Sequence, residues 1–187
     1  MSHSANTSVV NSSAQHSEDD ELNVVAAWLS WDTRRVVAGA AAGAFAGLVA
    51  LLLAMVLSAV NGLDLWFPAK FAALPVLGGT ALRYDNTMAI GVGLIVHQTL
   101  SMVLGMFYSH FTINNVTSRL FGAGLVWGIF SWIFISCLFV QSFPDIAAVN
   151  LPKSAYLLVN MVFGLSLMSV SMFDRAVRGG EKAGQSA

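Results

Sequence analysis

Four long apolar runs, all free of charge, constrain this chain more than any other feature of its sequence. Residues 36–60, 88–108, 120–140 and 155–173 contain none of the nine basic and ten acidic residues. Each run is near the ~20 residues that an α-helix needs to cross a ~30 Å hydrocarbon core. The first would extend roughly 37 Å as a helix. Placing one charge at mid-bilayer costs at least ~2.5 kcal/mol, so uninterrupted runs of this kind are what lipid demands. The expected fold is all-α: a polytopic membrane protein, a four-transmembrane-helix bundle with short interfacial helices.

Composition agrees. The chain is 56% hydrophobic and 10% charged, with mean hydropathy +0.70, whereas soluble domains carry about 25% charged residues. In water such a surface would expose large apolar patches. A net charge of -1 offers no basic patch for nucleic acid, which leaves the lipid bilayer as the first partner. The lone cysteine, Cys137, lies in the third run and has no internal disulfide partner. The polar, acidic start lacks the basic segment and apolar core of a cleavable signal peptide.

The organisation follows from these runs. Residues 1–21 read as a disordered cytoplasmic tail, residues 22–175 as the membrane domain and residues 176–187 as a second cytoplasmic tail. Within residues 22–31, Leu22, Val25, Ala26 and Leu29 fall at helical spacing beside Trp28 and Trp31, which predicts a helix lying on the membrane surface. The connection 61–87 is the long one. Its portion 65–79 is too apolar for an open loop and is divided by Pro68 and Pro75. A short interfacial helix is expected over 68–73, with Trp66 and Phe67 at headgroup level and Lys70 snorkelling outward. Arg34, Arg35, Arg119, Arg175, Arg178 and Lys182 fall on the side shared by both ends; Lys70, Arg83 and Lys153 fall on the other. The positive-inside rule then predicts an inner-membrane protein with both termini cytoplasmic.

Helices in lipid associate through close packing and polar contacts. The first run carries Gly39, Gly43 and Gly47 at intervals of four, with Ala40, Ala46, Ala50 and Ala54 as further small positions. The second carries Gly93, His97, Ser101 and Gly105, and the third carries Gly124 and Gly128, then Ser131. The fourth carries Asn160 and Gly164, with Ser171 further along. These rows predict the packing faces of an antiparallel bundle.

His97 stands near the middle of the second run, where an ionisable side chain suggests function. Three roles fit: a neutral histidine hydrogen-bonded to Gln98, Ser101 or Asn160, a ligand to haem, pigment or metal, and a proton relay. A closed metal site needs about four ligands, yet the runs offer one His, one Cys and no acid. Asn160 is expected to hydrogen-bond across a helix interface. His110 reads as a solvated interfacial side chain. There is no nucleophile elbow, Walker loop, dinucleotide fingerprint or HExxH motif.

The segments LDLWFPAKFAALPVLGG, VHQTLSMVLGMFYS, RLFGAGLVWGIFSWIF and LVNMVFGLSLMSV together resemble a family of small bacterial four-helix inner-membrane proteins of unknown function, over about residues 35–173. That family's pattern has one His in the second-span motif and another opening the fourth. His97 matches the first, and Asn160 stands at the second. The resemblance therefore implies the fold, with one of the two histidines replaced and no established activity attached. The expected function is a non-catalytic accessory or scaffold subunit of a larger membrane complex, such as a respiratory or electron-transfer assembly, with protein partners in the membrane or as a homo-oligomer. The alternatives are a cofactor-binding membrane protein using His97 and a small transporter or channel component.

Overall fold

The structure, a computed structural model, describes residues 32–83, 85–112, 117–139 and 153–185. Of these, every residue except Asp32 and Thr33 belongs to one compact unit, Arg34–Ala187. The expected tail over 1–21 and surface helix over 22–31 lie outside the described residues.

The fold is all-helical, with four helices long and apolar enough to cross a membrane. The protein is a multi-pass membrane protein. The first span is α1 (Thr33–Val60). It contains no proline, and its apolar residues surround the axis, as suits a helix whose backbone must satisfy its own hydrogen bonds in lipid. It ends at Gly62, whose φ of 73° closes the last turn: Gly62 N–H donates to Ala59 O at 3.1 Å and Leu63 N–H to Ser58 O at 2.9 Å, a Schellman arrangement.

The long connection holds α2 (Phe67–Ala72), α3 (Leu74–Leu77) and a 3-10 turn (Gly78–Leu82). Pro68 and Pro75 each open one of the two short helices, where a missing N–H leaves no bond unmade. The short helix expected over 68–73 is present one residue earlier.

The second span, α4 (Thr87–Phe111), is capped by Asn86. Its side-chain oxygen accepts from Ala89 N–H at 3.0 Å, while its amide donates to Thr80 O at 3.0 Å and ties the connection to the helix start. The third span is α5 (Thr117–Ile133), continued by a π-helical stretch, Phe134–Phe139. The fourth is α6 (Lys153–Ser166), then a 3-10 turn (Leu167–Ser169) and α7 (Val170–Gln185). Ser171 Oγ donates to Met168 O at 3.2 Å, a back-bond of the kind that tightens and bends helices. Ser171 thus serves its own helix. The segment expected as a tail from 176 is helical through Gln185.

Glycine closes two helix pairs. On α1, Gly39, Gly43 and Gly47 lie against Ser109, Gly105 and Ser101 of α4, in antiparallel order. On α5, Gly124 and Gly128 lie against Gly164 and Asn160 of α6, again antiparallel. The α1 helix carries a second row one residue earlier. Ala38, Ala42, Ala46 and Ala50 are buried in one cluster with Phe163, Leu167 and Val170 of the fourth span. Of the alanines singled out in the sequence, Ala46 and Ala50 belong to this row and Ala40 does not. The α4 and α5 helices meet where Tyr108 Oη donates to Leu120 O at 3.1 Å and the Tyr108 and Trp127 rings pack edge-on at 5.9 Å. Each span thereby touches the next in sequence, and α1 touches the fourth.

Candidate functional site

His97, Ser101 and Asn160, polar side chains at depth, line one apolar cavity of about 190 Å³. The second half of α1 forms one wall with Ala50, Ala54 and Ser58, and α4 forms another with His97 and Ser101. The start of α6 adds Tyr156, Asn160 and Phe163, the π-helical stretch adds Ile135, and α2 covers one end with Phe67 and Phe71. None of the described residues lining it is Asp, Glu, Lys or Arg.

Local sequence explains how the walls are held. The α2 helix lies against α4 because Gly93 has no side chain: a Cβ there would overlap the Ala69 carbonyl oxygen. Phe67 and Phe71, one turn apart on α2, face the cavity with ring centroids 6.0 Å apart. The same helix buries Ala69 and Lys70. Lys70 does not snorkel outward. It is 4% exposed, and its Nζ donates to Asp64 Oδ2 at 2.6 Å. A carboxylate six residues earlier was available to pair with it, so burial no longer leaves the ammonium uncompensated. That hydrogen bond also lowers the Asp64 pKa below the usual carboxylate value, helped by the Trp66 N–H that Asp64 Oδ1 accepts at 3.2 Å.

His97 lies about 15 Å along α4 from Thr87, at 1.5 Å per residue. Its Nε2 is 3.0 Å from Gly47 O. A carbonyl only accepts, so Nε2 carries the proton and the ring is the Nε2–H tautomer. Next to it, Gln98 Nε2 donates to Ala44 O at 2.8 Å. The partner of His97 is therefore a backbone carbonyl of α1, not the side chain of Gln98, Ser101 or Asn160. Gly47 makes this reach feasible by letting the two helices approach: a Cβ there would stand 2.6 Å from both Cβ and Oγ of Ser101.

Asn160 is 5% exposed. Its Nδ2 donates to Tyr156 O, one turn back on its own helix, at 2.9 Å. The cross-helix contact comes instead from its backbone oxygen, which would lie 2.8 Å from a Cβ on Gly128. Asn160 thus stabilises the α5–α6 interface through its main chain, while its side chain lines the cavity. Cys137 is exposed in the π-helical stretch and lies outside the cavity lining. Among the described residues no three His, Cys, Asp or Glu side chains gather into a metal-binding group. His110 packs edge-on to Phe111 at 5.8 Å, at the far end of α4 from the cavity.

Searches of protein-family models, curated proteins and solved structures find no match to this chain.

A second polar cluster lies at the opposite end of the bundle. Asp174 on α7 is 6% exposed. Its Oδ2 accepts from Arg178 Nη2 at 2.7 Å and Nε at 3.0 Å, and its Oδ1 lies 3.7 Å from Arg34 Nε on α1. The carboxylate links the start of α1 to the end of the fourth span. In the sequence Arg34 and Arg178 read only as orientation charges, and Asp174 was not singled out. The Asp174–Arg178 spacing of four on a helix was the signal available for the pair.

Proposed function

We propose that this protein is a small, non-catalytic accessory subunit of a larger assembly in the cell inner membrane, of respiratory or electron-transfer type, with both termini in the cytoplasm. The observation that carries the non-catalytic reading is the engagement of His97. It is the one histidine at mid-span, and its Nε2–H is spent on the Gly47 carbonyl. Ligation through Nε2 would require breaking the clasp between α1 and α4, and although Nδ1 keeps its lone pair, no group of three His, Cys, Asp or Glu side chains gathers beside it among the described residues.

The polar atoms at depth are disposed for packing and binding rather than for chemistry. Among the described residues that line the cavity, no carboxylate or second imidazole accompanies His97 to form an acid–base pair. The cytoplasmic orientation draws support from the arginine pair in the first turn of α1 and the arginines of α7. Large apolar side chains on the outer faces of α1 and α5, among them Leu52 and Val126, suit contact with lipid or with apolar helices of a partner.

Native mass spectrometry of gently solubilised membranes tests the reading. Co-release of this chain with stoichiometric membrane partners supports it. A chain released alone across mild detergents, with an activity of its own, overturns it.

A further inference from the structure

We infer that the intramembrane cavity is a binding site for a neutral lipophile bearing one carbonyl or hydroxyl oxygen, the chemistry shared by quinones and by neutral hydroxylated lipids. The inference concerns this chain alone and is independent of any partner complex.

Three observations lead to it. The first is size. An engineered apolar cavity of about 150 Å³ in an unrelated protein admits benzene, so about 190 Å³ has room for a substituted ring or the end of a chain. The second is charge. No described lining residue is Asp, Glu, Lys or Arg, so a carboxylate or ammonium head would enter without a counter-ion, at the cost that excludes charges from lipid. The third is unspent polarity. Ser101 is 4% exposed and Ser58 8% exposed, both line the cavity, and neither hydroxyl has a hydrogen-bond partner among the described residues. Unlike the hydroxyl of Ser131, theirs are not sealed from the adjoining space. A buried hydroxyl without a partner is unfavourable, and a ligand oxygen at depth relieves it.

Ser101 sits beside His97 and across from Gly47, so the polar end of the guest lies on the α4 wall. Its apolar body lies against Phe67, Phe71 and Phe163. The hydroxyl of Ser101 donates to a ligand carbonyl or accepts from a ligand hydroxyl. A simple acyl chain would fill the same space but leave that hydroxyl unsatisfied.

The test uses the full-length protein in phosphatidylcholine nanodiscs, with empty nanodiscs as the partition control. The radiolabelled probes are decyl-benzoquinone, decanol, decylbenzene and decanoate. Saturable one-site binding of decyl-benzoquinone or decanol is expected, with decylbenzene and decanoate at least about fivefold weaker, as for the loss of one hydrogen bond. Preference for the quinone assigns the quinone class, and equal binding of decanol assigns the wider class of hydroxylated lipids. In Ser101→Ala, a smaller side chain at the same contact, the gap between decyl-benzoquinone and decylbenzene is expected to close to within about twofold. In Ala54→Phe, which fills the cavity, saturable binding is expected to vanish. Absence of saturable binding to the wild-type protein, equal affinity for decylbenzene, or a gap unchanged in Ser101→Ala would each overturn the inference.

Discussion

Gly43 of α1 and Gly105 of α4 meet backbone to backbone: a Cβ on Gly105 would stand 2.6 Å from Gly43 Cα and 2.7 Å from Gly43 N. No side chain of any kind fits between them. In lipid, where apolar burial gives helices no preference for one another, contact this close is what makes association favourable.

The first prediction follows from that contact. Gly43→Leu places its side chain into the backbone of Ser101 and Met102 and should destabilise the bundle by about 3 kcal/mol or more, through overpacking against atoms that cannot rotate away. Leu52, 62% exposed on the outer face, should tolerate Leu52→Ala at a cost under about 1 kcal/mol. Thermal denaturation of the two variants in one mild detergent compares them. Equal losses would contradict the packing assigned to this row.

The second concerns His97. With its Nε2–H held by Gly47 O and no cluster of ligating side chains beside it among the described residues, the purified protein should show no Soret band. His97→Leu should cost about 0.5–2 kcal/mol, the value of one interhelical hydrogen bond in a membrane protein. A Soret band that disappears in His97→Ala would put iron on His97, through Nδ1 or through Nε2 with loss of the clasp, and would contradict the purely structural role.

The third is a pH dependence outside the spans. Lys70 lowers the Asp64 pKa, so the native state binds the proton less readily than the unfolded one. The sign follows directly: the pair stabilises the fold fully above the unfolded carboxyl pKa of about 3.9, and that stability is lost as pH falls through the lower native value. Asp64→Asn should therefore be less stable than wild type at pH 7, by about 1–2 kcal/mol for a hydrogen bond to a charged group. The two should converge once pH has fallen below the native pKa. A difference that persisted unchanged at the lowest pH would assign the effect to something other than ionisation.

The fourth separates the two ends of the ion cluster. Asp174→Ala leaves Arg34 and Arg178 facing each other across a buried site, whereas Arg178→Ala leaves Asp174 near Arg34. Asp174→Ala should be the more destabilising, by about 1–2 kcal/mol more, since it removes both contacts and leaves two like charges together, whereas Arg178→Ala leaves the buried carboxylate still paired with Arg34. Melting curves of both variants at one pH decide. The reverse order would mean that Asp174 is not the link between α1 and α7.

Much of the architecture was legible in the sequence because lipid imposes length and polarity on each span separately. Charge-free runs over 36–60, 88–108 and 155–173 lie within helices of the structure, and the third span is helical as far as it is described, through Phe139. The glycine rows were legible too, since spacing by four marks a helix face. What they would face was not. Small residues are interchangeable as partners, and nothing local distinguishes the Ala38–Ala42–Ala46–Ala50 row, which meets the fourth span, from Ala40. The partner of His97 was hidden for a related reason: every residue has a carbonyl, so a backbone acceptor leaves no mark in the sequence. Lys70 was misplaced because snorkelling treats a lysine near an interface alone, without the Asp64 that pairs with it. The cavity belongs to no single segment. It is the space left when side chains from α1, α2, α4 and α6 fail to fill their common interior.

The most direct measurement is membrane fractionation of the expressed full-length chain, with an alkaline carbonate wash followed by detergent extraction. The chain should stay in the washed membrane pellet and enter solution only with detergent, as four lipid-solvated spans require. Recovery as a compact monomer in the soluble fraction, without detergent, would contradict the four-span bundle and everything built on it.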